Sequence, residues 1–66
     1  MKWSAEITND PTRDYELYLE LLESDEFRAK IYRKDGDLVL VVYGREDVEI
    51  PLAWLKELIE RAEKDI

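Results

Sequence analysis

The sequence predicts a small α+β domain, in which an antiparallel meander of three to four strands carries one C-terminal amphipathic helix on one face. Three observations lead to this prediction. Asp35-Gly36 stands between two alternating segments, which is the pattern of a β-hairpin. Earlier segments also alternate with the period of strands, and the last fifteen or so residues follow the period of a helix. A chain of 66 residues has the length of one domain, residues 1–66.

The first predicted strand runs from Trp3 to Thr8, where apolar and polar residues alternate. The following segment, NDPTRD, is rich in residues that form turns. We therefore expect this strand to pair antiparallel with the next one, with Trp3 opposite Leu19.

Residues 15–23, YELYLELLE, fit two structures. A helix is favoured by the propensities of Leu and Glu and by the upstream Asp10-Pro11, and it would give the order βαββα. A strand is favoured by cross-strand chemistry, because a loop over residues 24–26 sets Leu19 opposite Ile31 and an acidic residue opposite Lys30. We favour the strand, although the segment has no β-branched residue.

The hairpin follows from Asp35-Gly36, since a type I′ turn needs positive φ at both central residues. Its register sets Ile31 opposite Leu40 and Ala29 opposite Val42. One face is then apolar and is expected to lie in the core; its residues are Phe27, Ala29, Ile31, Leu38, Leu40 and Val42. A further short edge strand is allowed by the pattern around Val48 and Ile50.

The helix is predicted from Leu52 to about Asp65, with Pro51 at its first position, where a missing N–H costs nothing. Its apolar face is expected to pack on the sheet. The residues of that face are Leu52, Trp54, Leu55, Leu58, Ile59, Ala62 and Ile66.

Charge and composition narrow the function. Acidic residues outnumber basic ones by 17 to 10, giving a net charge of -7, so we expect no nucleic-acid binding. Histidine and cysteine are absent, which removes disulfides, thiolate metal sites and the usual nucleophilic triads. Asp35-Gly36-Asp37 has the composition of a calcium-loop fragment, but apolar residues follow it. We therefore expect no enzyme, no cofactor and no metal.

The sequence says less about the cellular location and the origin of the protein. No stretch approaches the roughly 20 apolar residues of a membrane span, and the N-terminal segment lacks a signal-peptide core. We expect a cytoplasmic protein. A charged fraction of 41% with few thermolabile residues is typical of thermophilic proteins and also of engineered ones.

The second face of the predicted sheet is the main candidate for binding. Aromatic, basic and aliphatic residues there are of the types enriched at protein interfaces. The predicted interface consists of Tyr18, Arg28, Lys30, Tyr32, Val39, Val41 and Tyr43. Back-to-back packing of two such sheets would form a homodimer. Alternatively, the lysine and arginine stems shield the valines in an isolated domain.

The helix offers an acidic alternative. Its exposed side carries Glu57, Glu60, Glu63 and Asp65, interleaved with basic residues. This is the pattern of an ordinary solvated face, or of a surface for a basic protein, as in an immunity protein, an antitoxin or a nucleic-acid mimic. The sequence thus predicts a non-enzymatic protein-interaction domain, with the acidic inhibitor and a stable domain of no further function as alternatives.

Overall fold

The computed structural model describes residues 2–44 and 46–66. The elements are β1 (Trp3–Asp10), a short 3-10 turn (Pro11–Arg13), β2 (Glu16–Glu23), β3 (Glu26–Lys34), β4 (Asp37–Val42) and α1 (Leu52–Asp65). Each strand pairs antiparallel with the next in chain order, and α1 packs against one face of the resulting sheet. The predicted fold class is confirmed, and the strand β2 excludes the βαββα alternative.

The core lies between the middle of the sheet and α1. Its buried residues are Trp3, Leu19, Leu21, Ala29, Ile31, Leu58 and Ala62. Leu19 and Leu21 are fully buried, and burial of such a side chain is worth roughly 1.5–3 kcal/mol. Strand alternation explains this arrangement, because the buried residues of β1, β2 and β3 share the face that α1 covers.

The register of β1 with β2 differs from the predicted one by four residues. Ile7 lies opposite Leu19, where Trp3 was expected. The reason is a tight connection: β1 continues to Asp10, and the Tyr15 amide donates to the Asp10 carbonyl at 2.9 Å. The two strands therefore pair up to the turn itself, and Tyr15 lies in the turn, 68% exposed.

The register of β2 with β3 places Leu19 opposite Ile31, as predicted. The connecting turn is shorter than expected, however. Only Ser24 and Asp25 separate the strands, and both have positive φ, 49° and 69°. These are the dihedral signs of a type I′ turn, which a two-residue hairpin requires. The predicted register survives this shorter turn because a β-bulge follows it.

The bulge lies in β3. Leu22 pairs with Phe27 and Leu21 pairs with Ala29, so Arg28 is the extra residue between the two pairs. Opposed residues of antiparallel strands share a face. Phe27 therefore lies on the face of Leu22, away from α1, and is 41% exposed. Its predicted place in the core is wrong, because the bulge interrupts the alternation of β3.

Helix α1 crosses the sheet diagonally. Near its start the Trp54 ring lies against Trp3 at the end of β1, with centroids 5.5 Å apart. At its end the Ile66 carbonyl accepts a hydrogen bond of 2.9 Å from Arg33, close to the β3–β4 hairpin. The helix thus runs from the first strand toward the third and leaves one corner of the sheet uncovered, at the end of β4.

This diagonal corrects four more predictions about the core. Leu40 and Val42 face the helix side of the sheet but are 41% and 49% exposed. On the helix, Leu52 and Ile59 are 79% and 41% exposed, whereas Leu58 is buried. These positions have the right periodicity for a core face, but α1 is too narrow to cover all four strands.

The connection between β4 and α1 contains no strand within its described residues. Val48 and Ile50 lie in this connection, half-buried against the core, so the predicted short edge strand is wrong. Over the described ranges, no helix is both long and apolar enough to cross a membrane.

Candidate functional site

The centre of the outer sheet face is a stack of cations and aromatic rings. The Lys30 amino group lies 4.9 Å from the Tyr32 ring centroid and 5.6 Å from that of Tyr18. From the β1–β2 turn, the Arg13 guanidinium lies over the Tyr32 ring, 4.4 Å from its centroid. Such contacts are worth roughly 0.5–1 kcal/mol each at exposed sites. The structure thus brings together three residues of the predicted interface, Tyr18, Lys30 and Tyr32. Their side chains contact each other within one chain.

Arg13 was not predicted as a member of this cluster. It is distant from Tyr32 in sequence. Strand periodicity predicts contacts between paired strands, but it does not predict that a turn residue reaches across β2 to β3. Its Nη2 also lies 3.4 Å from the Arg33 carbonyl, as a weak hydrogen bond to β3.

The two valines of this face are shielded within the monomer. In the predicted register of the hairpin, Tyr32 pairs with Val39 and Lys30 pairs with Val41. Both valines are half-buried by residues of their own chain. Long cationic and aromatic side chains therefore account for much of their cover, as in the local-shielding alternative.

The remaining predicted residues lie at the end of the sheet. The Tyr43 ring contacts Phe27 with centroids 5.1 Å apart, and the Tyr43 amide donates to the Arg28 carbonyl at 2.8 Å. The Arg28 guanidinium forms an ion pair with Glu26 at 2.7 Å. Its Nε lies 3.3 Å from Glu23 without the alignment of a hydrogen bond. Acidic neighbours thus neutralise Arg28.

Two groups near this face have shifted pKa values. Burial raises the pKa of the Tyr18 phenol, the negative charge of Glu20 adds to this, and the positive charge of Lys30 opposes it. Hydrogen bonds from the Thr12 hydroxyl, at 2.6 Å, and the Thr12 amide, at 3.0 Å, lower the pKa of Asp10. The second shift belongs to the cap of the β1–β2 turn, which is a structural feature.

An open apolar groove lies on the other face, between β4 and α1. A groove of about 140 Å³ is lined by Ile31, Leu38, Val39, Leu40, Leu55 and Ile59. Val42 and Leu52 are also exposed; Val42 lies on the same face of β4 as Leu40, and Leu52 lies on the same flank of α1 as Ile59. We call the free edge of β4, with Leu40, Val42, Leu52, Leu55 and Ile59 beside it, the β4 margin.

The two edge strands of the sheet differ in chemistry. The outward positions of β1 are polar or charged and comprise Ser4, Glu6, Thr8 and Asp10. After Asp37, β4 contains only Leu and Val, with no lysine, proline or bulge in its described pairing. Natural sheets protect their edge strands with lysine, proline or a β-bulge. β4 is therefore an unprotected edge next to an apolar groove.

The acidic residues of α1 lie on the helix surface. Glu57, Glu60 and Glu63 are exposed, and Asp65 lies 3.9 Å from Arg61. Helical geometry places Glu57 on the flank opposite Ile59, away from the β4 margin, and Glu63 on the same side as Ile59. Binding of a basic partner through these residues stays a prediction.

A wide concavity of about 640 Å³ opens beside the start of β1. It is lined by Lys2, Trp3, Glu23, Asp47, Glu49, Ile50 and Pro51. Lys2 forms an ion pair with Glu23 at 3.1 Å. Across residues 2–44 and 46–66, no three acidic side chains come close enough together to hold a metal ion.

Comparisons of the chain with protein-family models, with curated proteins and with solved structures give no match. The surfaces described above are therefore the basis for inferring function.

Proposed function

We propose that this protein is a small non-enzymatic protein-interaction domain that self-associates through the β4 margin. One observation carries the proposal: β4 is an edge strand that is aliphatic after Asp37, its outer edge pairs with no other strand among the described residues, and the apolar side chains beside it are open to solvent. An exposed apolar edge of this kind tends to pair with another strand. Contiguous apolar patches on small proteins commonly mark interaction sites.

This surface includes part of the predicted interface and excludes the rest. Val39, Val41 and Tyr43 belong to β4 or follow it directly, so a partner on the edge would contact them. Tyr18 and Tyr32 lie further from the edge and share Lys30 between them. The proposed surface is therefore centred on the edge strand and not on the middle of the outer face.

Self-association would also supplement a small core. A chain of this length buries only about 60% of the surface that its unfolded form exposes. No disulfide supports the fold, because the sequence contains no cysteine. Covering the β4 margin in a dimer would couple folding to association and raise stability with protein concentration.

Sedimentation velocity over a range of concentrations tests the proposal with a matched pair of variants. Leu40 and Leu17 are the same residue type and are 41% and 42% exposed, but Leu17 lies on β2. We expect a wild-type dimer that Leu40→Glu converts to a folded monomer and that Leu17→Glu leaves intact. A wild-type chain that stays monomeric at millimolar concentration would overturn the proposal. So would a dimer lost in Tyr18→Glu and kept in Leu40→Glu, since that result assigns the outer face.

Salt dependence separates this proposal from the acidic alternative. Each copy carries a net charge of -7, so added salt should strengthen self-association by screening repulsion. Binding of a basic protein through Glu57, Glu60 and Glu63 should weaken with salt instead.

A further inference from the structure

We infer that two copies of the chain join their β4 strands antiparallel about a two-fold axis at Leu40. The four strands of each copy then form one continuous sheet of eight. This inference rests on the proposed function and adds to it the partner, which is a second copy, and the register of pairing.

Symmetry restricts the possible arrangements. Two identical edge strands that pair antiparallel in one sheet are related by a two-fold axis perpendicular to that sheet. The axis keeps the helix side of one copy on the helix side of the other. Opposed residues must then share a face, so the numbers of two opposed β4 residues add up to an even number. One residue of β4 therefore lies opposite the same residue of the second copy.

The backbone decides which residues face the free edge. The Tyr43 amide donates to the Arg28 carbonyl, so Tyr43 directs its backbone groups toward β3. Backbone groups of successive strand residues point to opposite sides. Val39 and Val41 therefore also face β3, and the free edge presents the N–H and C=O groups of Leu38, Leu40 and Val42.

Only the register centred on Leu40 gives the free N–H and C=O groups of Leu38, Leu40 and Val42 hydrogen-bond partners within β4 of the second copy. It sets Leu40 opposite Leu40 and Leu38 opposite Val42 of the second copy, which gives six backbone hydrogen bonds. A shift by one residue to a centre at Val39 or Val41 leaves one of the three residues opposite Gly36 or Gly44, outside the strand.

The side chains agree with this register. On the helix side, Leu38, Leu40 and Val42 of both copies form one aliphatic row. On the outer side, Val39 lies opposite Val41, and Asp37 lies opposite the polar ring of Tyr43. No two like charges oppose each other across the new pair, and such pairs would be destabilising.

The charges of α1 allow the same arrangement. The groove lining places Leu55 and Ile59 on the flank of the helix that faces β4. By helical geometry Glu57 lies on the opposite flank and Glu60 points away from the sheet, whereas Glu63, four residues after Ile59, lies on the same side as Ile59. Edge pairing therefore brings the apolar flanks toward the interface, keeps Glu57 away from it and places Glu63 on the side of the helix that faces it.

Cysteine pairing tests the register, because the sequence contains no cysteine. Val39 and Val41 of two copies form a non-hydrogen-bonded pair in this register, with Cα atoms about 4.5 Å apart, within the range of disulfides. Val39→Cys, labelled with ¹⁵N, is mixed with unlabelled Val41→Cys and mildly oxidised. Mass spectrometry should show the mixed dimer at least tenfold over either dimer of one variant. Efficient cross-linking of Val39→Cys alone or Val41→Cys alone would overturn the register.

Hydrogen exchange of the wild-type chain gives an independent test that needs no substitution. The Leu40 amide should gain protection as concentration rises through the dimerisation range, while the Val41 amide is protected by β3 throughout. A dimer in sedimentation with neither mixed disulfide nor added Leu40 protection would overturn edge pairing and leave self-association standing. A monomer would overturn both proposals.

Discussion

Arg33 on β3 holds the end of α1, since its Nε donates to the Ile66 carbonyl at 2.9 Å. Its Nη2 reaches the Glu63 carbonyl at 3.3 Å, and its Nη1 reaches the Gly36 carbonyl of the hairpin turn at 3.0 Å. The last carbonyls of a helix have no partner within it, and a cation there also interacts favourably with the helix dipole. One side chain thus joins the sheet, the β3–β4 turn and the C-terminal end of α1.

Removing this guanidinium should destabilise the fold. Arg33→Met keeps most of the apolar stem and loses all three hydrogen bonds, so we expect the free energy of unfolding to fall by about 1–2 kcal/mol. Urea denaturation followed by circular dichroism measures the change. Lys34→Met is the control, because Lys34 is the adjacent cation and is exposed, and it should change stability by less than about 0.5 kcal/mol. Equal effects of the two substitutions would show that Arg33 contributes only general charge.

The two hairpin turns should respond oppositely to glycine exchange. Asp25 has a φ of 69° and Gly36 a φ of 89°, in equivalent turns. Left-handed backbone costs an ordinary residue roughly 1–2 kcal/mol, and glycine avoids most of this cost. We expect Asp25→Gly to stabilise the protein by about 0.5–1 kcal/mol. Gly36→Ala should destabilise it by about 1 kcal/mol through conformation alone, since an added Cβ meets nothing within 4 Å.

Thermal and urea unfolding of these two variants measure both changes in the same chain. If Asp25→Gly lowered stability, the first turn would depend on contacts of the Asp25 side chain more than on its backbone conformation.

The Lys30 stack gives a prediction that distinguishes packing from charge. Lys30→Met keeps an unbranched apolar stem but removes the cation between Tyr18 and Tyr32, so we expect a loss of about 0.5–1 kcal/mol. The pKa of Tyr18 should rise further, because Lys30 lowers it. NMR titration of ¹³C-labelled tyrosine measures the pKa, and Lys64→Met on the exposed side of α1 serves as control. An unchanged Tyr18 pKa would contradict the short Lys30–Tyr18 distance.

The fold was predictable because local signals agreed with each other. Asp35-Gly36 set the register of β3 with β4 without error, and the helix bounds Leu52 and Asp65 followed from periodicity. The register of β2 with β3 was also correct, although the turn and the Arg28 bulge that produce it were not foreseen. Two compensating features left the pairing unchanged.

The surface was less predictable, because it depends on where α1 lies across the sheet. Periodicity shows that Leu40 and Ile31 share a face, but it gives no information about which strands a single helix covers. The contact of Trp3 with Trp54 and the bond from Arg33 to Ile66 fix that diagonal, and both join residues distant in sequence. The exposed β4 margin therefore follows from tertiary packing alone.

The Asp10 cap should make part of the stability depend on pH. Hydrogen bonds from Thr12 lower the pKa of Asp10 in the folded state below its ordinary value of 3.8. A lowered pKa means that the folded state binds the proton more weakly than the unfolded state, so the stabilisation is present above about pH 4 and is lost as the pH falls through the folded-state pKa. Asp10→Asn lacks this titration, so its stability difference from the wild type should shrink between pH 4 and pH 2. Thr12→Val removes the hydroxyl donor, and NMR titration should then show the Asp10 pKa closer to 3.8. A Thr12→Val variant with an unchanged Asp10 pKa would show that the hydroxyl does not hold the carboxylate in solution.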